Sequence, residues 1–209
     1  MRSATSAGRR ASGLAEAALV DGRNATQSQV YGPESRGGAT RAEVNISDGP
    51  ILFPKVENPG ILLCMSPESF EKFGADIAPG GVLILDGDVG EGTKGVKNYR
   101  IPITDTCRDL DPKGSDLSAN VVALGVLNGL FDFVSRDAIV ESLYRNFKKK
   151  VAELNWKFYD AGYEMGKNAK PFDLYDFTAA ILPQLNAVKS DAAKSASLYF
   201  CGCCVYNFG

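Results

Sequence analysis

The sequence predicts an α/β fold with three layers, in which helices cover both faces of a sheet. Two continuous apolar runs, GILLCMS at 60–66 and GGVLILD at 80–86, are typical of strands that are covered on both faces. A helix start signal lies between them, and helical periodicity dominates after Thr104. Strand, helix and strand followed by further helices indicate this class. A chain of 209 residues can bury a sizeable core as one domain.

The N-terminal 22 residues are rich in Arg, Ser and Ala and contain no acidic residue before Glu16. This composition is similar to that of a transit peptide. The alternative, which we favour, is an irregular start that leads into a short helix at about 14–20.

Two extended segments flank a glycine-rich loop. The first, ATQSQVY from residue 25, reads as a strand, and the second, TRAEVNIS at 40–47, alternates between apolar and polar residues. The alternation predicts one apolar face, formed by Ala42, Val44 and Ile46, and one polar face, formed by Arg41, Glu43 and Asn45.

The elements that follow have recognisable boundaries. Ser66 is expected to cap a helix that begins at Pro67 and ends at Gly74. The segment YRIPIT at 99–104 is a third extended piece, and its proline predicts an edge strand or a strand end.

The second half of the chain is predicted to be helical. In LSANVVALGVLNGLFDF at 117–133, apolar residues recur at helical spacing, and Gly125 and Gly129 indicate close packing. A further helix is expected after Ser135 and should run to about residue 161, where Gly162 ends it. Its predicted apolar stripe consists of Ile139, Leu143, Phe147, Val151 and Leu154. A possible helix at LYDFTAAILPQLNAV, interrupted by a proline, precedes an apolar, cysteine-rich end.

Composition excludes several classes of function. The chain contains no histidine, which removes His-based acid–base catalysis, Ser-His-Asp and Cys-His nucleophiles and most catalytic zinc sites. A net charge of -2 shows no general attraction to nucleic acid or to an anionic membrane. No apolar run of about 18 residues is present, and neither a P-loop nor a Gly-x-Gly-x-x-Gly fingerprint occurs. A reducing, cytoplasmic location is the expectation, because the five cysteines show no disulfide spacing.

The loop YGPESRGG at 31–38 is a candidate anion-binding site. Its three glycines allow close backbone approach, and successive N–H groups around Gly37 and Gly38 could form an anion nest. Arg36 and Arg41 add two guanidinium groups suited to phosphate or carboxylate. The alternative is a long hairpin loop in which Arg36 pairs with Glu34 in water, which contributes little.

Two further motifs are weaker candidates. Cys201, Cys203 and Cys204 could hold a soft metal, but three cysteines do not complete a four-cysteine set, so an apolar tail without a site is favoured. The segment DGDVGEG at 86–92 superficially resembles a calcium loop and lacks the spacing of an EF-hand, which favours a plain turn. We therefore expect no metal on this chain.

The loop and the strand after it also resemble a known family. The run from Tyr31 through Gly38, followed by Thr40, Arg41, Ala42 and Glu43, is similar to the central signature of the gamma subunits of 2-oxoacid:ferredoxin oxidoreductases, most like the 2-oxoglutarate (KorC-type) branch. The resemblance continues to about residue 168. It implies a gamma domain at 1–168, in which residues 1–13 are atypical, and a divergent tail at 169–209.

The resemblance carries expectations about function. These enzymes oxidatively decarboxylate a 2-oxoacid with thiamine diphosphate, pass electrons through Fe–S clusters to ferredoxin and release a coenzyme A thioester. Thiamine diphosphate and the clusters are expected in partner alpha and beta, and in some enzymes delta, subunits. The gamma chain is expected to carry no catalytic residue and to have coenzyme A as its possible ligand. The site residues that follow are Tyr31, Gly32, Pro33, Glu34, Arg36, Gly37, Gly38 and Arg41.

The sequence departs from the family at its start. Family members begin with a strand and a Gly-x-Gly-Gly-Gln-Gly turn, and residues 1–22 stand in that place here. The resemblance therefore implies a sheet without its first strand, a central element, and without the glycine-rich turn. The alternatives are a non-catalytic gamma-like binding module or a truncated, nonfunctional product.

Overall fold

The first half of the chain contains most of the strands and the second half is mainly helical, much as the sequence predicts. A computed structural model describes residues 6–30, 41–112, 118–172 and 195–201. The elements are α1 (Ser6–Val20), β1 (Asn24–Val30), β2 (Arg41–Ser47), β3 (Ile61–Cys64), α2 (Pro67–Phe73), β4 (Val82–Asp86), β5 (Lys97–Ile101), α3 (Ile103–Leu110), α4 (Ala119–Phe131), α5 (Arg136–Asn146), α6 (Lys149–Asn168) and β6 (Ser195–Cys201). Helix α1 begins eight residues before the expected 14–20 helix. The possible helix in the tail lies outside the described residues.

The strands form one mixed sheet in the order β1-β2-β6-β3-β4-β5. Strand β2 runs antiparallel to both of its neighbours, whereas β6, β3, β4 and β5 are parallel. One face of the sheet packs on α2, and the other face packs on the layer of the remaining helices. The expected three-layer α/β class is confirmed.

An interior position of the sheet is filled by a strand from the tail of the chain, which was not predicted as a strand. Strand β6, from the divergent tail, lies between β2 and β3. Its Leu198 pairs in register with Val44 on one side and with Ile61 on the other. The segment SASLYFC contains aromatic residues that favour strands, and pairing on both sides satisfies the backbone groups of β2 and β3. Sequence reasoning missed it because the pairing joins residues more than 130 positions apart.

The boundaries around α2 and β5 follow local signals, with one correction. Ser66 accepts a hydrogen bond at its Oγ from the Ser69 N–H (3.3 Å), which confirms the predicted cap. Strand β5 is an edge strand, also as expected. The extended piece predicted to reach residue 104 ends at Ile101 instead, because Pro102 is followed at once by α3.

The single helix predicted from Ser135 to about 161 is wrong. Ser135 does cap a helix, but the backbone is extended at Phe147 and Lys148, and a new helix, α6, starts at Lys149. The predicted stripe is correspondingly buried at Ile139 and Leu143 and exposed at Phe147, Val151 and Leu154. The break redirects the chain so that a different face of α6 packs against α4.

Glycines form the contact between α4 and α6. A Cβ on Gly125 would lie 2.1 Å from the carbonyl oxygen of Tyr159, and a Cβ on Gly162 would lie 2.1 Å from that of Val122. Gly129 and Gly166 approach the opposite backbone in the same way. The close packing predicted for Gly125 and Gly129 is confirmed. Gly162, expected to end a helix, lies inside α6 because its missing side chain lets the two backbones meet.

Candidate functional site

The two residues that flank the glycine-rich loop, Val30 and Arg41, pair with each other at the edge of the sheet where the parallel strands end. Arg41, the first residue of β2, pairs with Cys201, and Cys201 pairs with Cys64. Cys64 in turn pairs with Leu85 near the end of β4. The carboxyl ends of the parallel strands therefore share one edge with the chain that enters β2. In open α/β sheets this is the edge at which ligands bind.

Seven of the eight predicted site residues lie outside the described part of the structure. These are Tyr31, Gly32, Pro33, Glu34, Arg36, Gly37 and Gly38. Their assignment as ligand contacts stays a prediction. The eighth, Arg41, lies at the base of this loop on β2.

Arg41 contacts a buried carboxylate. Its Nε lies 2.9 Å from Oε1 of Glu43, whose side chain is 0% exposed, whereas that of Arg41 is 18% exposed. The other oxygen of Glu43 accepts hydrogen bonds from Ser28 Oγ (2.7 Å) and from the Val56 N–H (3.1 Å). Both oxygens are thus engaged, and burial of the charge is offset by an ion pair and two hydrogen bonds.

The guanidinium of Arg41 also joins β2 to the end of α2. It lies 5.5 Å from the centre of the Phe73 ring, a cation–π distance. Its Nη1 lies 3.7 Å from Oδ2 of the half-exposed Asp76. Arg41 therefore ties together the segment entering β2, the sheet and α2. This bracing fixes the point from which the loop leaves the sheet.

Removal of Arg41 is expected to cost stability, because it leaves Glu43 charged and buried without its cation. We expect Arg41→Ala to lower the free energy of unfolding by about 2 kcal/mol, less than for a fully buried pair because Arg41 keeps some exposure. The double variant with Glu43→Gln should recover much of this loss, since a neutral amide can still accept from Ser28 and Val56. Urea denaturation measures both.

The matched control for this experiment is Arg145→Ala, which breaks an exposed pair with Glu141 and should change stability by less than ~0.5 kcal/mol. Equal stability of Arg41→Ala and Arg145→Ala would contradict the bracing role. If Arg41→Ala lowers stability as expected, a change in ligand affinity in this variant could come from the altered structure. Arg41→Ala alone is therefore not a suitable test of ligand binding.

A second carboxylate at this edge accepts hydrogen bonds from the first turn of a helix. Asp86, the last residue of β4, accepts hydrogen bonds from the Thr104 N–H (3.0 Å) and from the Thr104 hydroxyl. Burial raises the pKa of Asp86 above its usual value, and these hydrogen bonds oppose the rise. A raised pKa means that the ionised group costs stability at neutral pH, and that this cost disappears as the pH falls below the normal value for aspartate. We interpret Asp86 as a structural link between β4 and α3.

The segment after Asp86 is a turn, as the sequence favours. Arg100 on β5 donates hydrogen bonds from its guanidinium to the carbonyl oxygens of Gly87 (2.7 Å) and Gly90 (2.9 Å). Gly90 has a φ of 67°, and a Cβ there would lie 2.3 Å from the Phe70 ring. Within residues 6–30, 41–112, 118–172 and 195–201, no three His, Cys, Asp or Glu side chains are grouped as metal ligands would be.

The cysteines are spread over different parts of the fold. Cys64 on β3 and Cys107 on α3 are buried. Cys201 is the last residue of β6, whereas Cys203 and Cys204 lie outside the described residues. The role of these last two stays a prediction.

Sequence reasoning missed the buried state of Glu43. The alternation of β2 placed Arg41 and Glu43 on one face but suggested nothing that would cover that face. The cover is the irregular segment after β2, whose Val56 N–H bonds Glu43 and whose Pro54 carbonyl oxygen accepts from Asn45 Nδ2 (3.0 Å). The signal that could have revealed it is a carboxylate two residues from an arginine, on one face of a strand next to apolar strands.

Comparisons with known proteins agree with this geometry. The model of the family described as pyruvate ferredoxin/flavodoxin oxidoreductase matches residues 10–165. The 2-oxoglutarate synthase subunit KorC of Methanocaldococcus jannaschii is 39% identical over 155 residues, which are 72% of this chain and 82% of that protein.

Solved structures show the same fold. The gamma subunit of a keto/oxoacid ferredoxin oxidoreductase from Geobacter sulfurreducens has a TM-score of 0.64 at 34% identity, over 76% of this chain and 90% of that one. The 2-oxoglutarate:ferredoxin oxidoreductase of Magnetococcus marinus, solved with 2-oxoglutarate, coenzyme A and succinyl-CoA bound, has a TM-score of 0.67 at 24% identity, over 80% of this chain and 30% of that one. At that identity the second likeness shows the fold alone. Among the described helices, none combines the length and the apolar character that a membrane crossing requires.

Proposed function

This chain belongs to the pyruvate ferredoxin/flavodoxin oxidoreductase family as the gamma subunit of a 2-oxoacid:ferredoxin oxidoreductase, and we propose that its complex acts on 2-oxoglutarate. The observation that carries the proposal is 39% identity to a 2-oxoglutarate synthase subunit along 82% of that subunit's length. The proposed reaction converts 2-oxoglutarate and coenzyme A into succinyl-CoA and CO₂ and reduces two ferredoxins by one electron each. It would take place in the cytoplasm.

The proposal divides the work between subunits. Thiamine diphosphate and the Fe–S clusters belong to the alpha and beta, and in some enzymes delta, subunits, which therefore carry the decarboxylation and the electron transfer. A chain without histidine is suited to an accessory role, because it lacks the side chain most often used for proton transfer near neutral pH.

The proposed task of this chain is to present the loop 31–38 to the phosphates of coenzyme A. Three features support it: the two adjacent glycines and Arg36 in the sequence of the loop, the position of the flanking Val30 and Arg41 at the carboxyl edge of the sheet, and the contacts that hold Arg41 in place. The Magnetococcus marinus enzyme, which shares the fold, was solved with coenzyme A bound. That makes coenzyme A the ligand to test first.

The test is co-expression of this chain with the alpha and beta subunits of its own organism. The purified complex is assayed for coenzyme A-dependent reduction of a viologen dye, with 2-oxoglutarate and with pyruvate as substrates. We expect activity with 2-oxoglutarate. Arg36→Ala should raise the KM for coenzyme A roughly tenfold, about 1.4 kcal/mol, as expected for loss of one charge-assisted hydrogen bond. Arg145→Ala serves as the matched surface control.

Each outcome has a defined meaning. Activity with pyruvate alone would overturn the choice of substrate. An unchanged KM for coenzyme A in Arg36→Ala, in an active complex, would overturn the role of the loop. A soluble chain that does not co-purify with the other subunits would favour the non-catalytic gamma-like binding module.

A further inference from the structure

Large apolar side chains are exposed together where α5 gives way to α6. Tyr144, Phe147, Val151 and Leu154 are each between 39% and 46% exposed. Single exposed apolar residues are ordinary on a protein surface, whereas a group of them marks an interaction site. From Ile139 to Leu154 the chain has the apolar spacing of a core helix, yet its own core covers only the first half of that stripe.

The exposed side chains border a cavity in the helical layer. The cavity has a volume of about 600 Å³ and lies between α1, α4, α5 and α6. Its apolar lining residues are Leu124, Ile139, Leu143, Phe147 and Val151. Leu154 adjoins Asn155, which also lies on the lining. Apolar surface therefore continues from the outside of the protein into a hollow. We call the cavity together with residues 144–154 the α5–α6 groove.

The rim of the α5–α6 groove is basic. Among residues 141–157 the exposed charged side chains are two acidic ones, Glu141 and Glu153, and five basic ones, Arg145, Lys148, Lys149, Lys150 and Lys157. Glu141 is already paired with Arg145. The chain as a whole has a net charge of -2, so this excess of positive charge is local. A partner with acidic groups around an apolar centre would complement both properties of the groove.

We propose that the α5–α6 groove is the docking surface for an amphipathic helix of a partner subunit, with an apolar face and an acidic flank. Apolar side chains of that helix would enter the hollow beside Phe147 and Val151, and its carboxylates would face Lys148–Lys150. This is the helix-in-groove mode of recognition. The inference rests on the proposed function, because it takes the partner from the same complex. It adds which face of this chain that partner covers.

The shape of the site favours a protein over an anionic membrane as the occupant. Basic residues beside apolar ones also attract anionic lipid surfaces. A membrane surface is flat on this scale and would leave the hollow unfilled, whereas side chains that project from a helix can fill it. Binding to vesicles of anionic lipid is therefore the alternative that the experiment must separate.

The first experiment measures how tightly variants of this chain are held in the complex. The chain, carrying a fluorescent label, is co-expressed with the alpha and beta subunits, and the complex is diluted and followed by sedimentation velocity. The double variant Val151→Asn, Leu154→Asn should raise the Kd of this chain roughly tenfold or more, as expected for apolar residues at the centre of an interface. The triple variant Lys148→Gln, Lys149→Gln, Lys150→Gln should raise it roughly threefold or more at low salt and less at high salt.

The matched control replaces two exposed leucines outside the groove. Leu19 on α1 and Leu110 on α3 are at least as exposed as Val151 and Leu154. The double variant Leu19→Asn, Leu110→Asn makes a similar chemical change and should leave the Kd unchanged.

A second experiment identifies the occupant directly. Leu154→p-benzoylphenylalanine places a photoreactive group at the rim of the groove in the assembled complex. We expect a cross-link to a partner subunit, within a peptide that combines apolar residues at helical spacing with Asp or Glu on its flank. If Val151→Asn, Leu154→Asn fails to fold by circular dichroism, this cross-link and the triple lysine variant decide the question.

The outcomes that overturn the inference differ from those that overturn the proposed function. An active complex in which the groove variants bind as tightly as the control would reject the groove and leave the function intact. A cross-link only to a second copy of this chain, or to a peptide without acidic residues, would also reject it. So would binding of the free chain to phosphatidylserine vesicles that the groove variants abolish, combined with their normal assembly. Failure of the unchanged chain to assemble with alpha and beta would overturn the proposed function and this inference together.

Discussion

Gly162→Ala is expected to lower the free energy of unfolding by about 3 kcal/mol, the upper end for overpacking a core. The added Cβ would lie 2.1 Å from the carbonyl oxygen of Val122. That oxygen belongs to the backbone and cannot rotate away as a side chain could. Helices α4 and α6 must therefore move apart where they cross. Alanine has a higher helix propensity than glycine by about 1 kcal/mol, and this gain offsets only part of the cost. Urea denaturation followed by circular dichroism measures the change.

The control for this substitution is Gly13→Ala in α1. There the nearest atom to the added Cβ is Leu124 Cδ2 at 3.5 Å, an ordinary contact with a side chain. The same chemical change should therefore stabilise the protein by roughly 0.5–1 kcal/mol through helix propensity alone. Gains of similar size in both variants would show that the two helices do not meet through their glycines.

Leu198→Pro is expected to remove most of the cooperative stability of the fold. Strand β6 is bonded on both sides, to β2 and to β3, so a proline there deletes a ladder hydrogen bond and disturbs pairing in the middle of the sheet. The cost should exceed roughly 3 kcal/mol, which is a large share of the stability of a typical domain. Loss of β6 would separate β1 and β2 from β3, β4 and β5.

Amide hydrogen exchange tests this prediction at the strands next to β6. In Leu198→Pro, protection should fall at Val44 and Ile46 in β2 and at Leu62 in β3, all of which are buried. Leu198→Val, which keeps the N–H and a strand-forming side chain, is the control and should change stability by less than about 1.5 kcal/mol. Native protection of β2 and β3 in the proline variant would show that β6 is not an essential part of the sheet.

Elements with strong local signals could be predicted closely. The apolar runs of β3 and β4, the Ser66 cap of α2 and the Ser135 cap of α5 are all encoded within a few residues. Each such signal rests on backbone geometry or a capping hydrogen bond that forms between near neighbours. The glycines of α4 also indicated close packing correctly, although not the helix against which they pack.

Errors arose where the outcome depended on distant partners. The apolar residues from Ile139 to Leu154 have helical spacing throughout, yet the helix is interrupted at Phe147. A new helix begins there because the glycines of α6 pack against α4. Helical periodicity cannot distinguish one long helix from two that share a phase. The β-strand at 195–201 was equally hidden, since a short apolar run indicates no particular neighbour.

The candidate site was likewise predictable only in part. Family resemblance identified Arg41 from its motif, and its residue type suggested an anion ligand. The structure adds that Arg41 contacts the buried Glu43 and the end of α2, so its first task is to hold the base of the loop. The other seven residues of the predicted site, from Tyr31 to Gly38, stay predictions.

The amino-acid sequence was sufficient to specify the α/β class, most element types, the absence of histidine chemistry and the family. Those properties depend on composition and on interactions over a few residues, which can be read along the chain. The place of β6 in the sheet, the burial of Glu43, the break before α6 and the cavity between helices were set by packing in three dimensions. Such features depend on which surfaces exclude water together and which backbone groups then need partners, and neither is fixed by neighbouring residues alone.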